Sequence, residues 1–110
     1  MKRVDSMLDE KRLQRIREMA ERMNALDALY ARASALMEEV EQAEQEFKLL
    51  EQYYYGAWQK DYQASCRGEV PENVPQSVLS EDLSYETLTN HDELGRRFLA
   101  IAYKMLCSRE

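Results

Sequence analysis

IREMAERMNALDALYARASALMEEVEQAEQEFKLLEQYY, residues 16–54, is the stretch that decides the fold. Apolar side chains recur through it at steps of three and four: Ile16, Met19, Met23, Leu26, Tyr30, Ala33, Met37, Val40, Phe47 and Tyr54. They hold positions a and d of one heptad frame, interrupted by Glu44 and Glu51. Leu29, Leu36 and Leu50 fall at g, which widens the stripe beyond a strict two-helix seam. Good helix formers fill the gaps, and Asp5 or Ser6 can cap the start. Residues 6–55 as one helix would extend roughly 75 Å at about 1.5 Å per residue. A tail half that length cannot cover such a stripe. Either the chain turns back near Asn24–Ser34 or a second chain covers the remainder. The first 55 residues contain no Gly or Pro to mark a turn, so the second chain is favoured. The expected homodimer interface is Ile16, Met19, Met23, Leu26, Tyr30 and Met37.

Downstream the composition changes. Both prolines and two of the three glycines lie between Gly56 and Pro75. Trp58 to Cys66 reads as a short helix, stopped at Arg67-Gly68 because Gly accepts the left-handed cap conformation. Residues 69–79 read as an ordered loop anchored by Val70, Val74, Val78 and Leu79. Ser80 can cap the next helix, with Glu81 and Asp82 in the first turn where the helix dipole favours negative charge. Asn90 followed by Glu93 is a second capping signature, which puts His91 in a first turn and exposed. A final helix then presents Leu94, Phe98, Ile101, Ala102, Met105 and Leu106 on one side, with Gly95 a weak point or a close-approach position. The expected architecture is all-α and coiled-coil-like, one helical domain over residues 1–110. A long helix (1–55) leads to a short helix and aromatic-anchored loop (56–80), then to a C-terminal helical segment (81–108) packed back on the long helix.

Composition narrows the function. With 45% hydrophobic residues the chain folds despite being 33% charged. No signal peptide or membrane span is expected, and Cys66 and Cys107 read as reduced thiols, so the expected location is cytoplasmic. The charge is uneven: residues 1–22 carry seven Lys/Arg against five Asp/Glu, residues 23–95 four against fifteen, and residues 96–110 four against one. An acidic middle disfavours direct nucleic-acid binding, which needs clustered cations. Catalytic signatures are missing. His91 is the only histidine, Leu88 stands where a Glu-x-x-His pair would need its carboxylate, and neither cysteine has zinc spacing. No phosphate-cradling glycine loop or nucleophile elbow occurs. We therefore expect no catalytic residue, no metal and no cofactor.

The run Tyr53-Tyr54-Tyr55-Gly56-Ala57-Trp58-Gln59-Lys60-Asp61-Tyr62, then Gly68-Glu69-Val70-Pro71, then Val78-Leu79-Ser80-Glu81-Asp82, resembles a small bacterial family catalogued as domain of unknown function 4298. The family pattern has paired tyrosines, a Trp with an Asp three residues on, a Gly-x-x-Pro loop, and a Gly-Val-Leu-Ser-Glu-Asp block followed by an aromatic. Tyr85 and Leu88 fit the positions after that block, and the resemblance is specific over about residues 53–88. Two departures stand out: Ser65-Cys66 replaces an acidic pair, and Pro75-Gln76-Ser77 replaces a basic turn. Losing both is what losing an ion pair between helix and loop would look like. The resemblance implies a fold and a motif, not a reaction.

Two segments remain as candidate sites. Tyr54, Trp58, Asp61, Ser80, Glu81 and Asp82 are a candidate partner-binding surface. The preferred reading of the same residues is a clasp, the rings packing the loop, their polar atoms bonding loop carbonyls, Asp61 holding loop amides, and Ser80-Glu81-Asp82 starting a helix. Glu38, Glu39, Glu41 and Glu46 are a candidate acidic surface. They suit a solvated face, an electrostatic guide for a second chain, or mimicry of a phosphate backbone. The expected function is a non-catalytic, cytosolic protein–protein interaction protein acting as a helical homodimer. The alternative is an acidic nucleic-acid-mimicking inhibitor of a nucleic-acid-binding enzyme, of the anti-defence kind some phages encode. A metal or hydrolytic site around Asp61, Glu81, Asp82 and His91 is the least favoured.

Overall fold

The computed structural model describes residues 2–107, with side chains from Asp9 onward. All regular structure among the described residues is helical. The chain divides into two compact units, one ending at Ala43 and the other beginning at Glu44.

The first unit is a single helix, α1, Lys2–Gln42. It runs through Asn24–Ser34 without a break, so the chain does not turn back there. The local sequence explains this: Ala, Leu, Met, Arg and Glu carry high helix propensity, and nothing in the segment breaks it. The helix starts at Lys2, ahead of the expected cap at Asp5 or Ser6, whose side chains lie outside the described residues. A lone helix has no second layer in which to bury its stripe. Accordingly Ile16 is 54% exposed, Met23 58%, Leu26 45% and Met37 57%.

The expected unbroken helix to Tyr55 is corrected at Ala43, where the helical pattern lapses for one residue. The Ala43 amide still donates to the Glu39 carbonyl at 2.9 Å. Helix α2, Glu44–Tyr54, follows. No breaker residue marks this position; the residue after it, Glu44, is engaged by a later helix of the second unit.

In that unit, α2 leads through Gly56 to α3, Trp58–Cys66, whose bounds match the expectation. A Cβ at Gly56 would lie 2.9 Å from the Gln52 carbonyl oxygen, so the turn between the helices needs glycine. Helix α3 stops at Gly68, whose φ of 73° is in the left-handed region. The Gly68 amide donates to Ser65 and the Glu69 amide to Ala64, which satisfies the last carbonyls of the helix. After the loop, a single 3₁₀ turn at Ser77–Leu79 precedes α4, Glu81–Cys107. Ser80 caps α4 as expected, its Oγ accepting from the Leu83 amide at 3.3 Å. The second cap at Asn90 does not form. Helix α4 is already started by Ser80 and continues through Asn90 without interruption.

The core of this unit is small. Trp58, Leu79 and Leu88 are its buried apolar residues, with Ser84 buried beside them. Helix α4 packs on α2 and on the 3₁₀ turn with its first half. Its second half leaves Leu94, Phe98, Ile101 and Met105 exposed, and nothing lies within 4 Å of a Cβ built on Gly95. The close approach considered for that glycine is therefore not made within the unit.

Candidate functional site

Trp58 organises the expected site. It opens α3, which points its indole across the 3₁₀ turn, and it is 7% exposed. Its Nε1–H donates to the Val78 carbonyl at 2.8 Å. The Ser84 hydroxyl donates to the same carbonyl, so both lone pairs of Val78 are used. One backbone oxygen thus joins α3, the loop and α4. Tyr62 stacks on the indole at 5.0 Å between centroids, and Tyr54 leans on it at 5.4 Å from α2. Such ring pairs add to the burial they already provide.

The polar members form a second tier. The Tyr53 hydroxyl donates to Asp61 Oδ2 at 2.7 Å, tying the end of α2 to α3. Partial burial, then the bond to Asp61 and its negative charge, push the Tyr53 phenol up to about 12. Asp61 therefore grips a phenol, not the loop amides expected of it. The Cys66 side chain beside it is the largest cause raising the Tyr62 phenol, and the Glu81 charge adds to this. Glu81 and Asp82 sit exposed in the first turn of α4.

The two departures from the family pattern meet in space. Ser65 Oγ donates to Gln76 Oε1 at 2.8 Å, and Gln76 Nε2 donates to the carbonyls of Val70 and Pro71. A neutral bridge now joins α3 to the loop at the positions where the resemblance implies opposite charges.

A second cluster was not anticipated. His91, expected in a first turn and exposed, is half-buried in the middle of α4. Its ring stacks on Phe47 of α2 at 3.5 Å with planes 6° apart. Nε2 lies 2.7 Å from Glu44 Oε2 and Nδ1 2.9 Å from Asp92 Oδ1. Both nitrogens face carboxylates, which only accept, so the imidazolium satisfies the site and the neutral ring does not. Asp92 first, then Glu44, raise the His91 pKa above its ordinary value, against some lowering by desolvation. The available signal was Glu44 itself, one of two carboxylates, with Glu51, that interrupt the apolar a and d positions of the heptad frame. Such a residue needs a partner.

An open cleft of about 320 Å³ lies between α2 and α4, lined by Leu50, Val78, Leu83, Glu86, Thr87 and Asn90 among others. Its lining residues include no Lys, Arg, His or Cys, and the Ser84 and Thr87 hydroxyls in it donate to the backbone carbonyls of Val78 and Leu83. No group of three or more His, Cys, Asp or Glu able to hold a metal occurs among the described residues. Asp61, Glu81, Asp82 and His91 are not assembled into one site: His91 pairs with Glu44 and Asp92 instead. Cys66 and Cys107 are free and exposed. No described helix is long and apolar enough to cross a membrane. Glu38, Glu39, Glu41 and Glu46 are all exposed.

The sequence model of the family described as Domain of unknown function (DUF4298) matches residues 16–101. The match starts at the first residue of the heptad stripe and ends in α4, so it takes in α1 from Ile16 onward as well as the Trp58 region. No curated protein and no solved structure matches the chain.

Proposed function

We propose, for a chain that belongs to the DUF4298 family, that it is a non-catalytic protein–protein interaction protein of the cytoplasm and works as a homodimer joined through α1. The observation that carries this reading is the apolar face of that helix. Leu13, Ile16, Met19, Met23, Leu26, Leu29, Tyr30, Leu36 and Met37 are each between 45% and 59% exposed. Fully burying one such side chain contributes about 1.5–3 kcal/mol, so a face of this size favours association strongly. On this reading the Trp58 region is a clasp that holds α3, the loop and α4 together, and direct nucleic-acid binding plays no part.

Sedimentation equilibrium at micromolar concentration tests it. The wild-type chain is expected as a dimer, and Met23→Glu with Leu26→Glu as a monomer with unchanged Trp58 fluorescence. A wild-type monomer at every concentration overturns the proposal.

One observation favours the second reading, an acidic inhibitor that mimics nucleic acid. Glu38, Glu39, Glu41 and Glu46 are exposed and have no ion-pair partner among the described residues. This reading expects salt-sensitive binding to a basic nucleic-acid-binding enzyme, abolished when the four are changed to Gln. Binding that persists in high salt and in that variant excludes it.

A further inference from the structure

We propose that α1 pairs with α1 of a second copy in the antiparallel direction, with Ile16 of one copy level with Val40 of the other. This deepens the homodimer reading above and rests on it. Three features of the helix choose the direction.

The first is side-chain size. In the antiparallel register each a position meets a d position: Ile16 the partner's Val40, Met19 the partner's Met37, Met23 the partner's Ala33, and Leu26 the partner's Tyr30. Tyr30 meets a leucine and Ala33 a methionine, so the layers differ less in volume than they do in a parallel pair. A parallel pair matches each residue with itself. Tyr30 then crowds Tyr30, and the next layer sets Ala33 against Ala33, which leaves a gap. Close-packed interiors tolerate neither.

The second is charge. From Ala33 to Gln42 the helix carries Glu38, Glu39 and Glu41 and no cation, whereas Lys11, Arg12, Arg15, Arg17 and Arg22 lie in its first half. Parallel pairing sets the glutamates beside their own copies. Antiparallel pairing puts Glu39 on the same flank as the partner's Arg15 and Glu41 on the same flank as the partner's Arg17. These side chains are exposed, so the effect acts over about 10 Å at moderate salt and is greatest at low salt.

The third is the flank of the seam. Leu29 and Leu36 occupy g positions, while the e positions hold Ala20, Asp27, Ser34 and Glu41. Parallel helices set g against e, which places Leu36 beside the partner's Glu41 and Leu29 beside the partner's Ser34. Antiparallel helices set g against g, so Leu29 meets the partner's Leu29 and Leu36 lies along the stem of the partner's Arg22. One term opposes this: Asp27 then faces the partner's Asp27. It is a single exposed pair, screened by salt, against three seam-length preferences.

Disulfide trapping reads the direction. In full-length protein carrying Cys66→Ser and Cys107→Ser, Met19→Cys and Met37→Cys are made separately, with different masses, and each is confirmed as a dimer under reducing conditions. After mixing, exchange and oxidation, linkage between the two variants is expected, with neither variant linking to itself. Self-linkage of either variant alone, or a dimer that links in no combination, overturns the antiparallel register. Absence of any dimer in the wild-type chain overturns instead the homodimer reading beneath it.

Should the cysteine variants fail to dimerise, charge reversal answers the same question. Glu39→Lys with Glu41→Lys, and separately Arg15→Glu with Arg17→Glu, are each expected to weaken dimerisation roughly tenfold at low salt, symmetry repeating each pair. The fourfold variant is expected to recover wild-type affinity. No recovery overturns the proposal.

Discussion

His91 is the residue whose surroundings say most about pH. Its two nitrogens face Glu44 and Asp92, and its ring lies flat on Phe47, so protonation links the first turn of α2 to the middle of α4. The folded state raises the His91 pKa, while the unfolded chain titrates near about 6.5. The extra stability is therefore fully present below that unfolded value and is lost as pH rises through the higher folded one. Thermal unfolding followed by Trp58 fluorescence should show a midpoint falling by about 2–5 °C between pH 6 and pH 9, the size expected of a partly exposed ion pair in a small unit. His91→Gln should flatten that profile while leaving the high-pH midpoint near that of wild type. A profile of the same slope in the variant would assign the effect to another group. This cluster could not be read from the neighbours of His91 alone: Asn90-His91-Asp92-Glu93 looks like a helix start. What decides against it is the ordering supplied upstream, where Ser80, Ser84 and Leu88 have already fixed the helix.

Elements were legible in proportion to how far local chemistry controls them. The bounds of α3, its glycine stop at Gly68 and the Ser80 cap of α4 follow from short-range preferences, and the structure keeps all three. No breaker residue announces the lapse at Ala43, and α4 runs on through Asn90 where it packs on α2 and the 3₁₀ turn, a contact that periodicity does not carry. Within the site the stacking of Tyr54, Trp58 and Tyr62 was legible as an aromatic clasp, whereas the double use of the Val78 carbonyl was not, since it needs two donors from different helices. The glycines give opposite expectations at this scale. Gly56→Ala forces a methyl to within 2.9 Å of the Gln52 carbonyl, a backbone atom that cannot swing aside. It should destabilise the second unit by about 1–3 kcal/mol, as overpacking generally does. Gly95→Ala adds its methyl to open space in the exposed half of α4. It should raise stability by about 0.5–1 kcal/mol through helix propensity and a less flexible unfolded chain. Chemical denaturation of the two variants, monitored at Trp58, separates the cases. A destabilising Gly95→Ala would mean that another helix lies close to that position in solution.

For the molecule as a whole, the two units hold their structure by different means, and this leads to the last prediction. The second unit has an interior of its own in Trp58, Leu79 and Leu88, and its helices are tied by bonds that do not depend on a neighbour. The first is one helix of 41 residues with its apolar face uncovered. Isolated helices are marginal in water, and in proteins they draw most of their stability from packing on an apolar face. Under the proposed homodimer that packing comes from a second copy, so its contribution follows mass action. Dilution from about 100 μM to about 0.1 μM should then lower the helical circular-dichroism signal while Trp58 fluorescence stays constant, because only α1 loses its cover. Met23→Glu with Leu26→Glu should show the diluted signal already at the highest concentration. If helicity and fluorescence instead fall together, the two units are stabilised jointly by association. If neither changes, α1 is covered within one copy, and the homodimer loses its physical motive.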